Sequence, residues 1–496
     1  MTSLIKYLVA LLIALNLGPL DAQTYVAKLL DKKTNAPIPF ATIQYGVHRG
    51  VITNEEGVFN FTLPAKATAT DSVYISSMGY ESKAFTLQQQ LDSIIYLAPK
   101  VFELKTVFVS SNPLDAEAII ENVKANLAVN YKVSLSKKKI FFRQSDLSQM
   151  NTIDFGFQKS TIAELDKSLI DSIAGLVPKA SSYYREALGD FYGDYTQHKF
   201  HIDKAATLYD KNKDVSMDGL SDKLEGIFKA NVKPDSYLKI KSGIFSSKVQ
   251  LDSLKAAHED ESEALVTAED TDHQNFNQEM TDGISELYEQ LFFNEDSKID
   301  VLRKSNRYKF TLDGYTYIDE TPMYILNFEP KGKKDFKGTM YVNVDDFAIL
   351  RLEFTNVRPL QSFGLLGITY RHNVYNGRML FQKDAVGGYS PKYLELDSGV
   401  YFGLNRPLKV IEKNKHVRGR RKQNELSLKL DIKLTQRNKF ELVVFDSENI
   451  DASTYNSATE NKDLKATYLS QYDASFWQGY SIMEPNAAIQ GFKVVE

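Results

Sequence analysis

Few residues able to do chemistry stand at the spacings that chemistry requires. His258 and Glu261 have the His-x-x-Glu spacing of two zinc ligands, but zinc hydrolysis needs two histidines and a carboxylate on the metal plus a general acid or base. This pair sits alone in an acidic run, in a chain of 7 His and 64 acidic residues, and the run reads as solvated. His198 and His201 stand one helical turn apart with no third ligand and read as surface or interface histidines. Asp210, Asn212 and Asp214 open like an EF-hand loop, yet its sixth position is Val215 where glycine is needed and its twelfth is Ser221 where glutamate is needed. The chain holds neither a Gly-x-Ser-x-Gly elbow nor a Walker glycine loop. It has no cysteine, which removes thiol nucleophiles, thiolate metal sites, disulfides and an acylated lipobox. The expected set of catalytic, cofactor-binding and metal-binding residues is therefore empty, and the chain is expected not to be an enzyme.

Charge is more informative. The formal net charge is −4, so no global positive field recruits nucleic acid. No Lys or Arg occurs from Ala256 to Ser297, and acids cluster from Glu259 to Asp272, as in a solvated, weakly ordered insertion. The opposite bias appears at Lys413, Lys415, Arg418, Arg420, Arg421 and Lys422. Around Gly419 this run reads as an exposed hairpin loop, with lipid-headgroup phosphates or an acidic partner as the functional alternative.

The elements around these residues are mostly strands. A chain of 496 residues is long enough for two to four domains, and 28 Tyr with 29 Phe favour pleated faces. Lys6, the apolar run Tyr7 to Leu17, Gly18-Pro19 and Ala22 before Gln23 have the form of a secretory leader over residues 1–22, cleaved after Ala22. Short alternating runs follow at Thr24 to Leu30, Phe40 to Tyr45, Val58 to Leu63, Ser72 to Ser76, Glu81 to Leu87 and Ile94 to Leu97, which predicts a compact β-sandwich over residues 23–99. Asn54-Glu55-Glu56-Gly57 is a turn whose glycine can take positive φ. Asp31 with Pro37-Ile38-Pro39-Phe40-Ala41-Thr42-Ile43, then Thr53 to Phe59, then Ser76-Ser77-Met78-Gly79-Tyr80 together resemble the carboxypeptidase regulatory-like family. That transthyretin-like sandwich stands at the front of Bacteroidetes envelope proteins, including TonB-dependent receptors of the SusC type. The resemblance implies an envelope setting and brings no catalytic residues with it.

A connector over residues 100–131 is expected to hold a strand at Leu104 to Val109 and a helix capped at Asn112-Pro113, with Ala116, Ile119, Ile120, Val123 and Leu127 on its apolar stripe. Too few residues then remain for a large outer-membrane barrel. The body, residues 132–446, opens with candidate strands at Lys139 to Arg143 and Thr152 to Thr161. A helical and acidic insertion follows over about 165–300 and ends in an amphipathic helix of Ile284, Leu287, Tyr288 and Leu291 capped by Asp282. A meander through Tyr308, Tyr324, Met340 and Leu350 comes next, turning at Asp313-Gly314, Pro330-Lys331-Gly332 and Asp345-Asp346. Leu426, Leu428, Leu430, Ile432 and Leu434 alternate with polar residues and mark the strongest strand. The expected architecture is mainly β and multidomain: a transthyretin-like sandwich, then an α+β body with a large curved antiparallel sheet able to form a half-barrel. The stretch Gly338 to Leu350 resembles, in architecture, the half-barrels of periplasmic lipoprotein carriers. The sheet's apolar row is a groove for an acyl chain or peptide if left open, and core if helices cover it.

Asp451 to Asp463 reads as a linker. Over residues 447–496 the aromatics Tyr468, Tyr472, Phe476, Trp477, Tyr480 and Phe492 read as a strap closing the body's core. The segment Tyr472 to Tyr480 resembles the ending of Bacteroidetes envelope proteins with the same front module. The sequence thus describes a non-catalytic binding or scaffold protein, exported to the periplasm or the periplasmic face of the outer membrane. A lipid or lipoprotein carrier is the first alternative and a zinc peptidase the last. An envelope protein or a lipid is the expected partner, no cofactor is expected, and the mature chain is expected to contain no transmembrane helix.

Overall fold

The computed structural model describes residues 24–45, 50–62, 72–86, 92–100, 114–132, 134–211, 223–233, 236–250, 276–318, 321–384, 387–414, 416, 421–461 and 464–494. The expected leader, the strand at Leu104 to Val109, the Asn112-Pro113 cap, the His258/Glu261 pair, the acidic run before residue 276 and most of the EF-hand-like segment lie outside them. Two compact units emerge. The first comprises residues up to Val109 with Tyr315–Met323 and Asp473–Gly491, and the second comprises Ser110–Gly314, Tyr324–Tyr472 and Phe492–Glu496.

In the first unit the strands are β1 (Thr24–Asp31), β2 (Thr42–Gln44), β3 (Gly50–Ile52), β4 (Val58–Thr62), β5 (Ser72–Ser76), β6 (Lys83–Thr86) and β7 (Ile94–Leu97). They form two sheets, ordered β4-β1-β7 and β3-β2-β5-β6. Alternation puts Ala27, Leu29, Ile43, Phe59, Phe61, Val73, Ile75, Ile95 and Leu97 in a sandwich-like core. The Asn54 turn forms as expected: the Asn54 carboxamide oxygen accepts the Val58 N–H at 2.8 Å, and Gly57 sits at φ +76°. A Cβ at Gly57 would lie 2.5 Å from the Leu29 carbonyl oxygen, so no other residue fits.

The C-terminal aromatics divide between the units: Tyr468 meets Tyr209 at 5.1 Å and Phe492 meets Tyr184 at 5.8 Å in the second, whereas residues 473–491 pack in the first. Trp477, Ile482, Met483 and Ile489 are buried. Asn54 Nδ2 donates to the Pro485 carbonyl at 3.1 Å, the Tyr45 hydroxyl meets Ser481 Oγ at 2.9 Å, and Glu56 accepts the Ala487 N–H at 3.2 Å. Residues 473–491 depart from the expectation because their partners are polar side chains some 430 positions earlier, and no local pattern announces them.

The second unit holds helix α1 (Ala116–Asn130), capped by Asp115, whose carboxylate accepts the Ala118 N–H at 2.8 Å. Strands β8 (Ser136–Asp154) and β9 (Phe157–Ser160) and helix α2 (Lys167–Leu176) follow. Next come strands β10 (Ala180–Gly193) and β11 (His198–Leu208), helix α3 (223–231), strands β12 (Ser236–Ser242) and β13 (Phe245–Gln250), and helix α4 (276–289). Among the described residues the span 165–300 therefore holds three helices and four strands, so the expected helical and acidic insertion also carries β structure. Asp282 is interior to α4 and does not cap it.

The remaining strands are β14 (Tyr308–Ile318), β15 (Thr321–Pro330), β16 (Phe336–Asn343), β17 (Ile349–Asn356), β18 (Ser362–Leu365), β19 (Ile368–Lys383), β20 (Tyr389–Asn414), β21 (Lys422–Asn449) and β22 (Thr467–Leu469). Asp313-Gly314 lies inside β14 and makes no turn, whereas the Pro330 and Asp345 turns form. Among the described residues one 15-stranded sheet runs β14-β15-β16-β17-β19-β20-β21-β8-β10-β11-β22, an open order that closes no barrel. It is mixed and not purely antiparallel, because β22 returns parallel to β11. No helix among the described residues is long and apolar enough to cross a membrane.

Candidate functional site

Residues facing each other across paired strands share a sheet face, so the strand registers sort β20 and β21 into two unlike surfaces. On one face Phe440 and Leu442 join Phe142, Leu394 and Met379, and α4 covers them. A Cβ added to its Gly283 would lie 2.7 Å from the Phe142 ring, so the helix docks this closely only because that position lacks a side chain. This end of the face is core.

The other end of the same face is a cavity of about 410 Å³, partly open to solvent. Its floor is Leu408, Leu426, Leu428 and Leu430, and its roof is Ile170 and Ile173 of α2 with Leu224, Ile227 and Phe228 of α3. Phe155, Ile162 and Leu165 complete the wall, so every lining residue is apolar. Asp166 fixes the start of α2 by accepting the Leu169 N–H at 2.8 Å. The spacing of Leu224, Ile227 and Phe228 (i, i+3, i+4) puts all three on one side of α3. Beyond the roof the apolar face continues uncovered, in two cross-strand rows. Leu365, Ile368, Leu404, Ile432 and Ile153 form one; Phe363, Tyr370, Phe402, Leu434 and Met150 form the next. Leu365 is 58% exposed, Phe363 50% and Phe402 37%, which makes this an apolar strip left open by the described residues.

The opposite face carries an ion ladder. Arg143 Nε donates to Glu186 at 2.7 Å and faces Glu441 at 3.8 Å. Lys439 lies 3.2 Å from Glu441 and 3.3 Å from Glu395. The Tyr393 hydroxyl donates to Glu395 at 2.8 Å, and Arg378 reaches Glu353 at 2.9 Å. Burial alone would raise the Glu353 carboxyl, but the Arg351 and Arg378 guanidiniums hold it below its ordinary range. Every carboxylate in the ladder has a cation beside it, so the ladder reads as structure.

Two lysines are buried without such pairing. Lys138 lies over the rings of Tyr195, Phe191 and Tyr288 at 5.2, 5.7 and 6.0 Å. Burial pushes its ammonium down to about 8, only partly offset by Asp384 and Asp194. Lys392 is lowered to about 8 in the same way, against Asp446. At pH 7 folded and unfolded lysines are both charged, so the full cost of burial acts. Between about pH 8 and 10 the folded lysine loses its proton before the unfolded one, and stability rises with pH. Lys138→Met is expected to stabilise the protein at pH 7 by on the order of 2 kcal/mol, the burial cost less the lost ring contacts. Urea midpoints at neutral and alkaline pH check this: the variant should gain less than the wild type on going alkaline, and an equal gain would refute the assignment.

His198 and His201 are not on a helix. They lie three apart on β11, hence on opposite faces of the sheet. His198 Nε2 meets Ser285 Oγ at 3.1 Å, and His201 Nδ1 meets the Thr459 carbonyl oxygen at 2.9 Å. They cannot share a metal. Of the basic run, Lys413, Arg421 and Lys422 are described and flank the β20–β21 loop; Lys415, Arg418 and Arg420 lie outside the described residues. The Leu426-to-Leu430 row is one apolar face, as its alternation predicts. Its roof has no signal in that strand, although Leu224, Ile227 and Phe228 carry helical spacing of their own.

Residues 28–109 match the family model of the CarboxypepD_reg-like domain, so the first unit contains a carboxypeptidase regulatory-like domain. No curated protein matches the chain. Among solved structures, a LolA superfamily protein from Nitrosomonas europaea aligns with 70% of this chain and 99% of its own, at 11% identity and a TM-score of 0.18. The MucA/MucB complex of Pseudomonas aeruginosa aligns with 67% of this chain and 99% of that one, at 8% identity and a TM-score of 0.15. Likeness at these scores carries no functional inference.

Proposed function

We propose that the second unit is a non-catalytic binding module for a single acyl chain, working in the periplasm or at the periplasmic face of an outer membrane. The supporting observation is the cavity of about 410 Å³ lined by apolar side chains alone, within the range of about 300–1,000 Å³ typical of small-molecule sites. Water finds no polar partner on these walls. The uncovered rows of Leu365 and Phe363 extend the same apolar face outward, in the direction a longer chain would follow. This reading takes the lipid alternative over the general scaffold; the regulatory-like domain serves as its interaction module.

The test is displacement of a fluorescent fatty acid from the purified full chain by palmitate. Binding is expected, and Leu428→Trp, which fills the floor, is expected to weaken it at least tenfold. Ser427→Ala, on the other face, should leave it unchanged. Absence of binding by the wild type, or equal binding by Leu428→Trp with its fold intact, would overturn the proposal.

A further inference from the structure

Behind the acyl cavity, the reverse face of the same strands is a sheet of lysines. On β20, Lys409 and Lys413 stand on this side. Lys409 pairs with Ser427 of β21 and with Lys241 of β12, and Lys239 of β12 pairs with Lys248 of β13. Lys159 of β9 faces Ser427, Lys429 faces Pro407, and Lys422 faces Lys413. Among the described residues eight lysines drawn from positions 159 to 429 thus share one surface, with Glu425 among them and the Asp431–Asp154 pair next to Lys429 at the edge. Glu425 is itself buried and occupied by Lys409 at 3.3 Å and by Lys422. Lys159, Lys241, Lys248 and Lys429 are exposed. In a chain of net charge −4, this is a marked separation of charge.

From this face we infer that the protein docks on an anionic lipid surface. The inference goes beyond acyl binding and stands on a different set of residues. Charge complementarity requires an acidic partner. The residue type selects among acidic partners: all eight cations are lysines, point charges on flexible stems, and none is an arginine with the planar fork that reads a fixed carboxylate or phosphate. A flat, laterally mobile array of headgroup phosphates matches such a surface; a carboxylate held in one geometry on a folded protein does not. The tip of the β12–β13 hairpin adds an apolar anchor beside Lys241 and Lys248. Its Ile244 is 81% exposed, a protruding apolar side chain next to cations of the kind that suits a membrane interface.

Sedimentation of the full chain with phosphatidylcholine vesicles, with and without phosphatidylglycerol, tests this. Binding is expected only with phosphatidylglycerol and is expected to fall as salt is raised. At roughly fivefold per lysine, the variant Lys159→Gln/Lys241→Gln/Lys248→Gln/Lys429→Gln should partition several hundredfold less at low salt. These side chains are exposed and the changes neutral, so the variant should fold, and its palmitate binding should hold; failure of the acyl reading would appear in that assay and not in this one. Equal sedimentation with neutral and anionic vesicles, or none with either, would overturn the inference. Retention of polyglutamate without vesicle binding would overturn it too, in favour of an acidic protein partner.

Discussion

Replacing Arg143 with methionine is expected to cost the protein about 3–5 kcal/mol, because the change takes a buried guanidinium away from two buried carboxylates. Arg143 is 1% exposed and so is its partner Glu186, with Glu441 at 4%. Taken as a group, one cation and two anions are held away from water, and Lys439 helps to balance the second anion at 3.2 Å. Without the guanidinium, Glu186 loses the donor that meets it at 2.7 Å. Replacing all three, as Arg143→Met/Glu186→Leu/Glu441→Leu, removes both the attraction and the desolvation and should restore most of the loss. Urea titration of the three proteins decides the matter: a single variant as stable as the wild type would mean that water reaches the ladder.

This ladder also explains where the sequence misleads. β10 escapes notice because Arg185, Glu186 and Asp190 interrupt its alternation. Glu186 can face inward only because Arg143, 43 positions away, neutralises it, and no window along the chain contains that fact. Where burial is apolar and local, sequence and structure agree. Ser72–Ser76 and Ile94–Leu97 appear as strands at the positions their alternation predicts, whereas the three-residue β3 is too short to show a period. The candidate site divides along the same line. Leu426, Leu428 and Leu430 are legible as one face, because a single strand carries the pattern. The roof is legible only as two short amphipathic helices with nothing to say what they cover. The lysine face is not legible at all: its members come from five strands, and register alone assembles them.

Trp477→Ala is expected to remove about 3–5 kcal/mol from the first unit, the usual cost of truncating a large buried aromatic. That is a large part of the roughly 5–15 kcal/mol on which a domain of this kind stands. Trp477 is 2% exposed, and its ring meets Phe476 edge-on at 4.9 Å between centroids. The strap around it is anchored by Asn54 and Glu56, which also shape the Gly57 turn, so loosening the strap should reach the β3–β4 connection directly. Amide hydrogen exchange reads this: protection should fall in β1, β3 and β4 of the variant, with Trp477→Phe intermediate because it keeps most of the volume. The residue is the chain's one tryptophan, so wild-type indole fluorescence follows the first unit by itself. A urea transition of that emission that Asn54→Ala leaves unmoved would show that the strap does not hold the sandwich. The hydrogen bonds from Asn54 to Pro485 and Val58 would then be incidental to its stability.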